Sequence, residues 1–133
     1  MSHRKISAAL STHLAAMPSL PSVAWENAPF DPVAGAVYLS ENYLPAATTE
    51  VGIADDSSNQ FTGVYQVSVH ANSGDYKLEA QTLADSVTAH FARGTSLTYE
   101  GQSVRIEVSS IANALQEGDR YMIPVSINWR SFA

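Results

Sequence analysis

The residues that could carry out chemistry are few and scattered along this chain. There is no cysteine, which excludes disulfides, thiolate metal sites and cysteine nucleophiles. The one pair of adjacent carboxylates, Asp55-Asp56, lies in a stretch rich in Ser and Asn. Such a pair could hold calcium, but without an EF-hand spacing around it a solvated turn is the better interpretation. The four histidines follow no metal-ligand spacing; they are His3, His13, His70 and His90.

Three of these histidines are the remaining candidates for a general base, because imidazole titrates near neutral pH. His13 and His90 fall near the inner faces of two expected helices, where packing is the better interpretation. His70 follows a strand, without a Ser or Cys in any nucleophile motif. The chain also has no Walker-type phosphate loop and no dinucleotide-binding glycine pattern. The sequence therefore predicts no catalytic site, no metal and no cofactor, and it indicates that the protein is not an enzyme.

Composition limits the classes to which the chain can belong. Its 133 residues, 45% of them hydrophobic, predict a single domain spanning residues 1–133 with one core. The net charge of −6, with only seven basic residues, argues against a nucleic-acid-binding surface. No apolar run approaches the roughly 18 to 20 residues of a membrane span, so we expect a soluble protein with no membrane partner.

The first half of the chain predicts one helix, two short strands and a long loop. Apolar residues recur at helical spacing over 3–17, and Pro18 and Pro21 end that helix. Short strands follow at 23–25 and 36–39, separated by a stretch with two prolines within four residues. Residues 47–62 are small and polar, which predicts a long mobile loop, and such loops in compact domains are usually functional.

The second half predicts a sheet and a second helix. Alternation over 64–70 indicates a half-buried strand. A helix over 76–92 follows, and strands at 97–99 and 104–108 form a hairpin. The last strand, 121–129, alternates too, and Pro124 within it lacks a ladder donor, so we expect this strand at an edge or bulged there. The order predicts an α+β fold, a mainly antiparallel sheet with two α-helices packed on one face. The helix predicted over 76–92 should bury Ala80, Leu83, Ala84, Val87 and Phe91.

Three blocks of the sequence resemble a known family when they are taken in order. The first contains Trp25-Glu26-Asn27, then Phe30-x-Pro32, then Tyr38-Leu39. The second runs from Gly63-x-Tyr65-Gln66-Val67-x-Val69 through a turn glycine to a helix with Leu83-Ala84-Asp85. The third is the ending Tyr121-Met122-Ile123-Pro124-Val125. Together they are similar to the tail terminator family of long-tailed bacteriophages and prophages, over nearly the whole chain from residue 3.

The resemblance implies a structural role in virion assembly. Tail terminators form a ring, usually of six copies, on the head-proximal end of the tail tube. The ring stops further addition of the major tail tube protein and presents the joining surface to a head-completion protein. DNA passes through the lumen without specific binding. On this interpretation the protein acts in the bacterial host cytoplasm during assembly and then resides in the virion tail.

The candidate contact residues come from the aromatic opening block and from the polar loop. Aromatic side chains contribute strongly to both cores and interfaces, so we expect Trp25 in the core or at an interface with equal weight. The apolar residues in and beside the loop are its possible anchors. The candidate interface is Trp25, Asn27, Phe30, Val51, Ile53, Asp55, Asp56 and Phe61.

Two other functions remain open at the level of sequence. One is a different head–tail connector or a minor tail protein, which would share the size, acidity and lack of catalytic residues. The other is a small-molecule-binding or hydrolytic domain built around His70 or His90. A concave pocket with perturbed titrating groups would favour the second of these, and a flat oligomer interface the first.

Overall fold

A computed structural model describes residues 3–18, 20–26, 28, 37–46, 49–50, 59–72, 77–117 and 120–132. The elements within these ranges are α1 (His3–Ala15), β1 (Ser22–Ala24), β2 (Tyr38–Pro45), β3 (Thr49–Glu50), β4 (Asn59–Asn72), α2 (Lys77–His90), β5 (Ser96–Tyr99), β6 (Gln102–Ile111), β7 (Leu115–Glu117) and β8 (Arg120–Phe132). The α+β class predicted from the sequence is confirmed.

The described strands form one sheet in the order β1-β2-β4-β8-β6-β5, with β3 beside β4 and β7 beside β8. Among the strands of the described ranges, β1 and β2 pair in parallel and the other pairs are antiparallel. The two longest strands, β4 and β8, lie at the centre and pair without interruption from Gln60↔Phe132 to Asn72↔Arg120. This ladder fixes which side chains of the sheet share a face, because successive residues of a strand point to opposite faces.

One face of the sheet carries the core. In the central strands, Tyr65, Val67 and Val69 lie opposite Ile127, Val125 and Ile123, and all six are buried. The buried side of α1 and the buried side of α2 belong to the same hydrophobic cluster; they contribute Ile6, Leu10, Leu14, Ala80, Ala84, Val87 and Phe91. Leu83, which we expected in the core, is only half-buried. We call the opposite side of the sheet the outer face.

The strands extend further than their sequence patterns predicted. β2 has 8 residues and β4 has 14, so both continue beyond the short apolar runs at 36–39 and 64–70. Within the expected loop over 47–62, Thr49–Glu50 pairs with Asn59 and Gln60 as strand. The loop prediction was therefore too long at both ends, because a ladder partner can hold a polar segment in a strand that its composition does not favour. Residues 47–48 and 51–58 lie outside the described ranges.

Pro124 lies neither at a sheet edge nor at a bulge, so that expectation was wrong. β8 is central, with β4 on one side and β6 and β7 on the other. The neighbour on the second side is interrupted at this point: β6 ends at Ile111, opposite Val125, and β7 starts at Leu115, opposite Met122. The backbone NH of Ala112 donates to the carbonyl oxygen of Pro124 at 2.9 Å. The missing donor of Pro124 faces this interruption, so no ladder hydrogen bond is lost there.

A bulge does occur in β6. Its register with β8 shifts between Ile106↔Trp129 and Ser109↔Ile127, so that Glu107 and Val108 lie together opposite Asn128. A bulge of this kind bends the strand and re-aims its side chains. Here it leaves Val108 54% exposed.

Gly63 lies where a neighbouring backbone and a large side chain leave no room for a Cβ. It pairs with Trp129 on β8 and with Pro45 on β2. A Cβ at this position would lie 2.6 Å from the carbonyl oxygen of Leu44 and 2.7 Å from Cζ2 of Trp129. The fully buried Trp129 indole thus occupies the space of a missing side chain, with Tyr43 stacked against it at 5.5 Å between ring centroids.

We predict that Gly63→Ala destabilises the fold by about 1–3 kcal/mol or more, the usual cost of overpacking a core. The added Cβ would clash with two backbone atoms, the carbonyl oxygen of Leu44 and the Cα of Pro45, and backbone atoms cannot rotate away. Urea unfolding followed by tryptophan fluorescence measures the effect. Val64→Ala, the neighbouring half-buried residue on the outer face, is the control and should cost less. An unchanged urea midpoint for Gly63→Ala would contradict the packing described here.

Candidate interaction surface

Two of the eight candidate interface residues lie in the described part of the chain. Trp25 is half-buried and packs against the core at the end of β1. Phe61 is also half-buried, and its ring meets that of His3 edge-on at 5.5 Å. The structure does not bring Trp25 and Phe61 into contact by any ring interaction that it describes. The other six, Asn27, Phe30, Val51, Ile53, Asp55 and Asp56, lie outside the described residues.

A buried carboxylate fixes the segment that begins with Trp25. Glu41 is 8% exposed, on the helix-bearing side of β2. Its Oε1 accepts hydrogen bonds from the hydroxyls of Ser11, at 2.7 Å, and Tyr65, at 2.5 Å. Its Oε2 accepts the backbone NH of Glu26 at 3.1 Å. Glu26 in turn accepts the backbone NH of Tyr43 with its own Oε1 at 3.1 Å, so a helix, two strands and the turn after β1 converge here.

The phenol of Tyr65 is held in its donor form at this site. Burial raises the pKa of Tyr65 above its ordinary value, and the adjacent Glu41 carboxylate raises it further. No cation is paired with Glu41 among the residues that the structure describes. The three hydrogen bonds are therefore what compensates for taking this carboxylate out of water.

We predict that Tyr65→Phe costs about 1.5–3 kcal/mol, because it removes a hydrogen bond to a buried charged group. Ser11→Ala removes the other hydroxyl donor at a less buried position and should cost less. Thermal unfolding at neutral pH gives both values. If Tyr65→Phe unfolds at the wild-type temperature, Glu41 is not the anchor of this region.

His13 and His90 form a reciprocal pair between the two helices. Their rings are stacked at 4.0 Å between centroids with an interplanar angle of 11°. The Nε2 of His13 donates to the carbonyl oxygen of His90 at 2.7 Å, and the Nε2 of His90 donates to that of His13 at 2.6 Å. Each ring thus satisfies a carbonyl in the last turn of the other helix, where intrahelical partners run out. The expectation that these histidines pack rather than catalyse agrees with this geometry.

Acid should weaken this pair. Burial lowers the pKa of His13 below 6.5 and outweighs the hydrogen bond to the His90 carbonyl, which on its own would raise that pKa. A histidine whose pKa is lowered in the folded protein binds its proton more readily in the unfolded chain. Its contribution to the stability of the fold is therefore fully present above pH 6.5 and is lost as the pH falls below that value. We predict that wild type has a higher free energy of unfolding than His13→Gln at pH 8 and that this difference becomes smaller towards pH 5. A difference that widens on acidification would contradict this assignment.

His70 belongs to a different cluster, on the outer face. Its Nε2 lies 2.8 Å from the hydroxyl of Ser40, and the ring of Tyr38 stacks on it at 4.5 Å. A serine hydroxyl beside an imidazole is one part of a nucleophilic site. A hydrolase also needs preorganised donors for the oxyanion, whereas Ser40 sits within a continuous ladder from Tyr38 to Pro45 whose backbone is engaged with β4. The backbone around Ser40 therefore supplies no free donor for an oxyanion, which a hydrolytic site would need beside the Ser40–His70 pair.

The middle of the outer face is free of charge, whereas the next row, Thr62, Arg130 and Arg105, carries two arginines. Its residues follow from the register, in four rows across the sheet: Tyr38, His70 and Met122; Ser40, Ser68 and Pro124; Asn42, Gln66, Ser126 and Ser110; Leu44, Val64 and Asn128. None of these is Asp, Glu, Lys or Arg, although the whole chain carries 20 such residues. Within the described ranges no helix packs on this side. Depletion of charge is the compositional mark of an interface core.

The sequence contained a signal for this surface that our interpretation did not use. In β2 and β4 most positions between the buried residues are uncharged, among them Ser40, Gln66 and Ser68, where a solvated strand usually carries Lys or Glu. The candidate interface was chosen instead from aromatic residues and from the polar loop. Recognising the outer face required the pairing of β2, β4 and β8, which no single strand reveals.

The described part of the chain holds no group of three or more His, Cys, Asp or Glu that could bind a metal ion. Among the helices in those ranges, none is long and apolar enough to cross a membrane. A cleft of about 610 Å³ beside the bulge is lined by Val64, Arg93, Val108, Asn128 and Trp129, and it is open rather than enclosed.

Comparison with protein families gives a direct assignment. The profile described as "Phage tail terminator protein" matches residues 5–129, which is nearly the whole chain. The chain belongs to this family. Its members are structural proteins of phage tails, so a structural role in the phage tail follows for this chain, together with assembly alongside other virion proteins. The resemblance drawn from the three sequence blocks is thereby confirmed.

Two solved structures share the fold. One is 31% identical, with a TM-score of 0.75, and the match covers 98% of this chain and 96% of that one. The other is a chain from the "Virion of native gene transfer agent (GTA) particle", 18% identical, with a TM-score of 0.65, covering 99% and 100% of the two chains. Among curated proteins, none matches.

Proposed function

We propose that the protein is the tail terminator itself: a ring of copies, usually six in this family, that caps the head-proximal end of the tail tube. The observation that carries this proposal is the family match over residues 5–129. The charge-poor outer face supports it, because a subunit that must bind both its own copies and other proteins needs surface that is easily desolvated. On this proposal the protein is not an enzyme.

The proposed mechanism is complementarity and occlusion. The ring binds the last layer of the major tail tube protein and covers the surface to which another layer would add. Its opposite side then receives a head-completion protein. Each copy contributes a formal net charge of −6, and a lumen of that sign would repel DNA and let it pass without sticking. Assembly would take place in the bacterial host cytoplasm, and the ring would remain in the virion tail.

We also propose that residues 1–133 act as one domain and that the residues between β3 and β4 contribute to contacts. Trp25 and Phe61 each keep part of their surface exposed beside the core, which is compatible with such a role. The candidate interface is retained as Trp25, Asn27, Phe30, Val51, Ile53, Asp55, Asp56 and Phe61. Deleting residues 54–58 should leave a folded protein that no longer ends tails correctly if these contacts operate.

Removal of the gene tests the proposal. We predict that a phage or prophage lacking it makes tails longer than normal and without heads, because the open end of the tube continues to accept subunits. Negative-stain electron microscopy measures both tail length and head attachment. Supplying the wild-type protein should restore normal tails, and tails of normal length with heads in its absence would overturn the proposed function.

A matched variant separates this function from the hydrolytic alternative. Ser40→Ala removes the hydroxyl beside His70, the candidate nucleophile, with a change of one atom on the surface. If assembly makes and breaks no bond, this variant restores tails as well as wild type does. A folded Ser40→Ala protein that associates with its own copies like wild type but fails to restore tails would favour a chemical role for the Ser40–His70 pair.

A further inference from the structure

We infer that neighbouring copies of this chain meet head to tail, with the outer face of one copy against the helix layer of the next. This inference rests on the proposed function, since it identifies the two surfaces through which a ring would form. It is carried by two apolar patches on opposite sides of the molecule, one next to basic and one next to acidic side chains.

The first surface, which we call the outer patch, consists of Leu44, Val108, Arg105 and Arg130. Leu44 is 47% and Val108 54% exposed; they lie at the two ends of the row that runs through Val64 and Asn128. Large exposed aliphatic side chains on a charge-poor sheet face are suited to a protein contact.

The outer patch also carries an excess of positive charge. Arg105 and Arg130 lie directly opposite each other in the β6–β8 ladder, and like charges in that arrangement destabilise the pairing. The Nε of Arg130 is 3.6 Å from the carboxylate of Glu107. Arg105 is exposed and has no carboxylate within ion-pair distance among the described residues. An acidic group from outside would therefore relieve the repulsion.

The second surface, which we call the helix groove, lies on the opposite side of the molecule, between the end of α1 and α2. It is a groove of about 510 Å³ whose walls are largely apolar and include Met17, Pro21, Val37 and Leu83. Leu83 is half-buried here because its position on α2 faces this groove rather than the sheet. The exposed carboxylate of Glu79 lies on the rim.

The two surfaces are complementary in shape and in charge. The outer patch has protruding aliphatic side chains and a surplus arginine, and the helix groove has an apolar recess and a glutamate. Because they lie on opposite sides of one chain, they cannot satisfy each other within a copy. Contacts between two different surfaces are heterologous, and they produce a closed ring when the rotation between copies closes.

Charge reversal on each side tests this assignment. We expect Arg105→Glu and Glu79→Arg each to weaken association of the purified protein by about tenfold or more in concentration, since like charges would then face each other. An equimolar mixture of the two variants should restore assembly, because every junction in an alternating ring would again join Glu to Arg. Native mass spectrometry resolves the mixed oligomers, and analytical ultracentrifugation gives the concentration dependence.

Matched controls lie on α2 and on α1. Asp85→Arg makes the same kind of change on the other flank of α2, which faces Ile111 and Tyr121, and should associate like wild type. Arg4→Glu does the same for a basic residue, which pairs with Glu100 at 3.2 Å away from both surfaces. Restoration by mixing also shows that both single variants are folded.

The outcomes distinguish this inference from the function on which it rests. If wild type forms rings and the two variants form them equally well, or if both are weakened and mixing restores nothing, the assigned surfaces are wrong and the terminator function is untouched. If wild type is monomeric at every concentration and on isolated tail tubes, the proposed ring and this contact both fail.

Discussion

The close packing of Trp129 on Gly63 is the constraint on which the arrangement of the sheet depends. The indole needs a position without a side chain on the adjacent strand, and Gly63 is placed opposite it by the β4–β8 register. A slip of one residue would put Thr62 or Val64 under the ring and would turn every buried residue of β4 to the outer face. Tyr43 stacks on the same indole, so β2 is aligned by the same contact.

Once that register is set, both helices are directed to one side. The buried residues of β2, β4 and β8 share a face, and Glu41 on that face binds Ser11 of α1 through a hydrogen bond. The reciprocal His13–His90 pair then joins the ends of the two helices to each other. The helices are thus committed to the core side, and among the described residues neither helix covers the outer face.

Much of the fold follows from local patterns, because half-buried strands and amphipathic helices repeat with fixed periods. The alternation at 64–70 and the helical spacing at 3–17 and 76–92 were sufficient for the α+β class. The prediction of an edge or a bulge at Pro124 was wrong because the neighbouring strand is interrupted opposite its missing donor. That interruption cannot be seen in the sequence of β8. Glu41 was not anticipated either, since its three donors come from positions 11, 26 and 65. Pairing across such distances is what local patterns omit.

The composition of the outer face reconciles a stable subunit with a binding surface. Ser and Asn side chains lose little conformational entropy when a partner orders them, and uncharged groups lose less hydration than Lys or Glu would. Ser40, Asn42 and Ser126 therefore keep the face compatible with water in a free copy without making its burial costly. A face of large apolar residues would bind more strongly but would also associate before the tube is complete. If the chain forms the proposed ring, weak single contacts that become strong only when the ring closes would keep free copies apart until the tail tube is complete.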